Sequence, residues 1–267
     1  MAVLKNKRNI AECEYERTFK ELYRTIVDSI SKIGKRKQKW LCKDIYKNLN
    51  SALNDILSLT DDYFSKDTAK EEKYCLIQHS IECLSNLEKP FMVLWNIEKY
   101  PEDKMRLWSA LVEKEVSLLN NKIQGVNVVV HMNKIIPINW KRVNDASFLK
   151  NMSMLHKVVH SKAIHIPNTY DDSDTNFLIE RIDDVWYNLL KANEKIPKTK
   201  DEYEKRRKLI SNSISGLKKI QRPLVLFFNI MQYSENTMKS ITTMVNDEIK
   251  MLTCLQKSDK ERFSNLK

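Results

Sequence analysis

The sequence predicts an all-α protein built as two tandem antiparallel four-helix bundles, and three observations predict it. Apolar residues recur at helical spacing along most of the chain. Only three glycines and six prolines occur in 267 residues, too little turn chemistry for extensive sheet. The third observation is internal repetition: Gln38 to Gln124 reappears without a gap as Asp171 to Lys257, with Pro90 and Pro223 133 positions apart. Under that offset Leu87 to Ile97 falls on Ile220 to Ile230, and Ile45, Leu49, Leu53, Ile56 and Leu57 fall on Leu178, Ile182, Trp186, Leu189 and Leu190. Val112, Glu115, Val116 and Leu119 fall on Val245, Glu248, Ile249 and Leu252, and Tyr15, Phe19, Leu22 and Ile26 on Phe148, Met152, Leu155 and Val159. Apolar character persists where identities differ, as expected of an old duplication of one packed unit.

The first helix is expected over 10–33 on Tyr15, Phe19, Leu22, Ile26 and Ile30, with Gly34 as its stop. The second, over 40–59, carries Leu41, Ile45, Leu49, Leu53 and Ile56. The third, over 68–99, must absorb Pro90, which removes a helical hydrogen bond and crowds the preceding turn, so a kink or short break is expected there and again at Pro223. Pro101 starts the fourth, over 102–122. The second copy repeats the pattern with helices over 144–164, 174–192, 200–230 and 234–256. Short connections make neighbouring helices antiparallel, and each apolar stripe then finds a partner. The expected organisation is a first bundle over 1–124, a linker over 125–142 and a second bundle over 143–267. The linker contains Val126, Val128, Val129 and Val130 and is read as an extended segment packed against both bundles, with a short strand as the alternative.

Composition excludes much chemistry. Gly34, Gly125 and Gly216 cannot assemble a phosphate-cradling loop of the Walker or dinucleotide kind. Cys13, Cys42, Cys75, Cys83 and Cys254 show neither metal-like nor paired spacing, and Cys42 and Cys83 lie near apolar stripes, where core packing is expected. No Glu-x-x-His of the di-metal bundle type occurs. His156 and His160 share a helical face, with His165 beyond, but lack further ligands, so no metal, cofactor or catalytic residue is expected. His79 aligns with Asn212, a poor fit to a base shared by both copies. Asn96 and Asn229 align within the most apolar stretch of each copy and are expected to be buried amides bonded to backbone near the proline. No apolar run is long enough to span a bilayer, and a cytoplasmic protein is expected.

The net charge of +11 points to a polyanionic partner, nucleic acid ahead of a membrane surface. Basic residues cluster at Lys32, Lys35, Arg36, Lys37 and Lys39, at Lys205, Arg206, Arg207 and Lys208, and at Lys218, Lys219 and Arg222. These are the candidate nucleic-acid contacts. They would neutralise phosphates, giving salt-steep affinity and little sequence choice. A helical protein-protein scaffold with incidental charge is the alternative.

Met1-Ala2-Val3-Leu4-Lys5-Asn6-Lys7-Arg8-Asn9 ahead of a helix, and Leu252 to Arg262 closing the chain, resemble the ends of small bacterial and phage four-helix bundle proteins. They are similar to the accessory variability determinant of diversity-generating retroelements. The resemblance implies a basic, non-enzymatic bundle that binds a reverse transcriptase and RNA or cDNA. It also implies a single bundle assembling as a ring of five. A whole number of two-bundle chains cannot supply five equivalent units, so the oligomeric state stays open.

Overall fold

In the computed structural model the described residues are 14–34, 38, 41–60, 69–123, 146–163, 172–230, 234–264 and 266. They form nine helices and no strand: α1 Glu14–Ile30, α2 Lys43–Thr60, α3 Ala69–Ser85, α4 Glu88–Glu98, α5 Glu102–Ile123, α6 Ser147–Ala163, α7 Asp172–Asn193, α8 Lys200–Ile230 and α9 Glu235–Arg262. The chain is all-α, as its periodicity predicts. The expected packed linker over 125–142, and the aperiodic stretch around Pro167, lie outside the described residues.

Two compact units divide the chain: Met1–Glu88 with Arg106–Pro137, and Lys89–Met105 with Ile138–Lys267. The sequence assigned residues 1–124 to one bundle, whereas Lys89–Met105, with α4, belongs to the second unit. Its composition gives the reason. Pro90, Phe91, Met92, Val93 and Leu94 are consecutive and all buried, so α4 lacks a polar face and must be covered on several sides.

In the first unit α1 packs on α2 and α2 on α3. Phe19, Leu22, Ile26 and Ile30 of α1, Ile45, Leu49 and Ile56 of α2, and Val112 and Leu119 of α5 are buried. Gly34 does not stop α1 by adopting a left-handed conformation, since no described glycine has positive φ. Instead the Gln38 amide donates to the carbonyls of Ile30, Ser31 and Ile33 at 2.9, 3.1 and 2.7 Å, satisfying carbonyls that the helix end leaves open.

In the second unit α6 packs on α7, α7 on α8, α8 on α9, and α9 returns to α6. That closed ring is a four-helix bundle, with α4 added to it. Gly216 lets α8 approach α7 closely: a Cβ there would lie 2.7 Å from Val185 Cγ2. Thr199 caps α8, its Oγ1 accepting from Glu202 N at 3.3 Å while Glu202 accepts from Lys198 N. Ser234 caps α9 in the same way, accepting from Thr237 N.

The two prolines act differently. Between α3 and α4 the chain breaks at Asn86 and Leu87, placing Pro90 in the first turn of α4, where its missing N–H is not needed. Pro223 lies inside α8, whose 31 residues run on past it to Ile230. Burial nevertheless repeats at the 133-residue offset. Phe19 and Met152, Leu22 and Leu155, Leu49 and Ile182, Ser80 and Ser213, Glu115 and Glu248, and Leu119 and Leu252 are all buried. Leu57 departs from the pattern, being exposed where Leu190 is buried.

Candidate functional site

The basic clusters singled out by sequence are only partly brought together. Lys35, Arg36, Lys37 and Lys39 lie outside the described residues, and Lys32 is exposed just beyond α1. Lys205, Arg207, Lys208, Lys218 and Lys219 are exposed along α8. At 3.6 residues per turn, Lys205, Lys208 and Lys219 fall within about 60° of one another on its surface. Arg207 is spent locally on Glu204 at 3.2 Å. Arg222 belongs to α8, but its side chain lies outside the described set.

Arg206 does not belong to an exposed basic surface. Its Nε donates to Asp259 Oδ2 of α9 at 2.6 Å and its Nη1 to the carbonyl of Ala192, at the end of α7. The two side chains are 12% and 8% exposed. This arginine holds three helices together, because a charge placed on the inward face of α8 must find its counter-charge there.

A different arrangement within the second unit has the makings of a binding site. A cleft of about 380 Å³ is lined by Trp95, Lys99 and Tyr100 at the end of α4, by Lys150, Ser153 and Lys157 of α6, and by Trp186 of α7, among others. Its lysines follow from register: Lys150 and Lys157 are two turns apart on one face of α6, flanking Ser153. Burial lowers the Lys157 pKa first, and the neighbouring Lys99 charge lowers it further. Lys99 is also a conformational exception, a non-glycine residue at φ 51°, where the chain leaves α4. Left-handed backbone at a residue with a Cβ is strained, and two like charges held together at a concave surface attract an anion.

Aromatic rings also line the cleft. Trp95 stacks on Trp186 with centroids 6.4 Å apart, and Trp186 stacks on His156 at 5.6 Å. The Trp186 indole N–H donates to the Met92 carbonyl at 3.2 Å, which fixes its ring. Lys104 lies over the ring of Tyr100. The Asn96 amide is buried and bonded to backbone as expected, but to that of α6 rather than near Pro90, donating to the Ser153 carbonyl at 3.4 Å. Its Nδ2 donates to His156 Nδ1 at 2.8 Å, and its Oδ1 accepts from Ser153 Oγ at 2.5 Å. The aligned Asn229 side chain lies outside the described residues.

Behind these rings His156 Nε2 and His160 Nε2 approach Asp183 Oδ1 at 2.8 and 2.6 Å. Burial lowers the His156 pKa to about 4, against the pull of Asp183, so its imidazole is neutral at neutral pH. Burial works to raise the Asp183 carboxyl. The attraction of His160 and the hydrogen bonds from both imidazoles outweigh it and hold the group well below the ordinary carboxylate range. Sequence spacing identified the two histidines; it missed Asp183, which α7 supplies from 23 residues beyond His160.

The first unit holds another polar cluster. His79 Nδ1 meets Asp55 Oδ2 at 2.6 Å, and Cys83 Sγ lies 3.7 Å from His79 Nε2. Thiol, imidazole and carboxylate stand in relay order. Burial, followed by the charges of Asp55 and Glu82, pushes the Cys83 thiol up, the reverse of what an activated nucleophile needs. Cys83 also sits within helix α3, where backbone N–H groups are already committed. Its burial, and that of Cys42, matches the core role expected of both. Compared with protein-family models, curated proteins and solved structures, the chain matches none of them. No described helix is long and apolar enough to cross a membrane.

Proposed function

We propose that the chain is a non-enzymatic nucleic-acid-binding protein that takes a single-stranded segment into the cleft of its second unit. The observation that carries this reading is the pairing of Lys99, Lys150 and Lys157 with Trp95 and Tyr100 around one concavity. Ammonium groups meet phosphates, and rings offer stacking faces to unpaired bases, the combination used by single-strand binders. The exposed residues Lys205, Lys208 and Lys219 place further positive charge on α8, and the net charge of +11 supplies long-range attraction. On this reading the chain serves as an accessory to a reverse transcriptase, presenting RNA or cDNA to it, as its resemblance to the accessory variability determinant implies.

The test is titration of the full chain with single-stranded RNA, single-stranded DNA and duplex DNA oligonucleotides at two salt concentrations. Single strands are expected to bind best, with affinity falling steeply as salt rises and tryptophan fluorescence quenched on saturation. Lys150→Glu with Lys157→Glu is expected to weaken binding at least about tenfold. Lys99→Gly relieves the left-handed strain, so it is expected to stabilise the fold by about 1 kcal/mol while weakening binding. Undiminished binding by the double variant, without fluorescence change, would remove the cleft from the proposal.

A further inference from the structure

We propose that His156, His160 and Asp183 form a binding site for Zn2+ or a similar divalent transition-metal ion, joining α6 to α7. The three donor atoms lie within 4.8 Å of one another, and both imidazoles are fully buried. Two histidines four residues apart on one helix face, with a carboxylate from the facing helix, supply the nitrogen and oxygen donors that such an ion prefers. The Asp183 side chain is 16% exposed, leaving a route for the ion and for a water as fourth ligand.

Without metal, the distances require both Nε2 atoms to donate protons to one carboxylate oxygen. Tetrahedral ligands around zinc stand about 3.3 Å apart, so each Nε2 must draw back from Asp183 by roughly half an ångström as the ion enters. The Nε2 protons must also leave. On each ring the proton reappears on Nδ1, and at His156 a half-turn of the Asn96 carboxamide presents Oδ1 to accept the Nδ1–H hydrogen bond. Ser153 Oγ then accepts from Asn96 Nδ2. A histidine ligand oriented through its other nitrogen is the usual arrangement around a bound metal. His160 Nδ1 has no hydrogen-bond partner, so its orientation rests on packing and on its edge-on contact with the His156 ring, centroids 4.7 Å apart. Asn96 and Trp186 are shared with the cleft, which makes the ion a brace for its aromatic wall.

The experiment uses the full chain stripped with a chelator, then titrated with Zn2+ by calorimetry and with Co2+ by visible absorption. One equivalent is expected, with His160→Gln and Asp183→Asn each binding at least about tenfold more weakly. Circular dichroism of the variants checks that the helices persist. X-ray absorption of the zinc-loaded wild type needs no variant, and a shell of nitrogen and oxygen scatterers with two imidazoles is expected. A sulfur scatterer would move the ion to the cluster of His79 and Cys83 and overturn the proposal. So would the absence of a Co2+ spectrum, or affinity equal in wild type and folded variants.

Discussion

Glu115 and Glu248 stand at the same offset as the two prolines and are both fully buried, yet their oxygens meet different surroundings. Glu248 Oε2 accepts from Asn151 at 2.8 Å, whereas neither oxygen of Glu115 has a partner. The residue aligned with Asn151 is Thr18, too short to take its place. Burial raises Glu115 to about 8, with Lys114 pulling it back, and raises Glu248 to about 7, with the Asn151 hydrogen bond pulling it back. A carboxyl whose folded pKa lies above its unfolded value contributes stability below the unfolded pKa and loses it as pH rises through the folded one. The fold is therefore expected to weaken between about pH 4.5 and 8. Glu115→Gln keeps the shape and removes the titration. It should flatten that slope and stabilise the protein at pH 8 by roughly 1–3 kcal/mol, measured by urea denaturation at pH 5 and 8. A slope unchanged by the substitution would show that Glu115 does not carry it. Comparison at the same offset extends to the histidines: Tyr23 and Asn50, bonded at 2.9 Å, occupy in the first unit the positions of His156 and Asp183, so a phenol and an amide stand where the second unit holds an imidazole and a carboxylate. Sequence alone showed that these positions aligned. It could not show which polar residues were buried together, because that depends on register between helices 23 to 27 residues apart.

At the scale of the element, α8 shows what periodicity reveals and what it conceals. Its limits, 200–230, are those expected from the apolar repeat. Its run Lys205-Arg206-Arg207-Lys208 reads as one basic cluster, yet successive residues turn by about 100°, which sends one of the four inward. Which one turns inward follows from the acidic partner on α9, and no local pattern announces Asp259. Arg206→Ala is expected to cost about 3 kcal/mol, because it strands the buried Asp259 carboxylate, whereas Arg207→Ala should change stability by less than about 0.5 kcal/mol. Urea denaturation of both variants checks the contrast, and equal costs would count against the buried pair. The prolines carry a similar lesson. Each predicted a disturbance, but only Pro90 accompanies a break. The preceding Asn86-Leu87 turn, with Leu87 N bonded to Leu84 O at 3.2 Å, shifts Pro90 into a position where a proline is welcome.

For the whole molecule, the class and nearly every helix were legible because burial sets the period of apolar residues, and that period survives when identities change. The boundary between units was not legible. Grouping follows contacts in space, and the repeat offset gave no sign that α4 would be built into the second unit rather than the first. The second unit therefore depends on residues that precede it in sequence. A fragment of residues 138–267 lacks Asn96 and the Met92 carbonyl that hold Ser153, His156 and Trp186. It is expected to melt at lower temperature than the second unit within the full chain and to bind hydrophobic dyes, and a peptide of residues 88–105 added in trans should reverse both. A fragment as stable as the full chain would contradict this dependence. There is also a consequence during synthesis. α4 emerges with Phe91, Met92, Val93 and Leu94 ready for burial, but Trp186 on α7 is translated roughly ninety residues later. At about 5–20 residues per second the nascent segment waits roughly 5–20 s for its partner, an interval in which a ribosome-associated chaperone has reason to hold it.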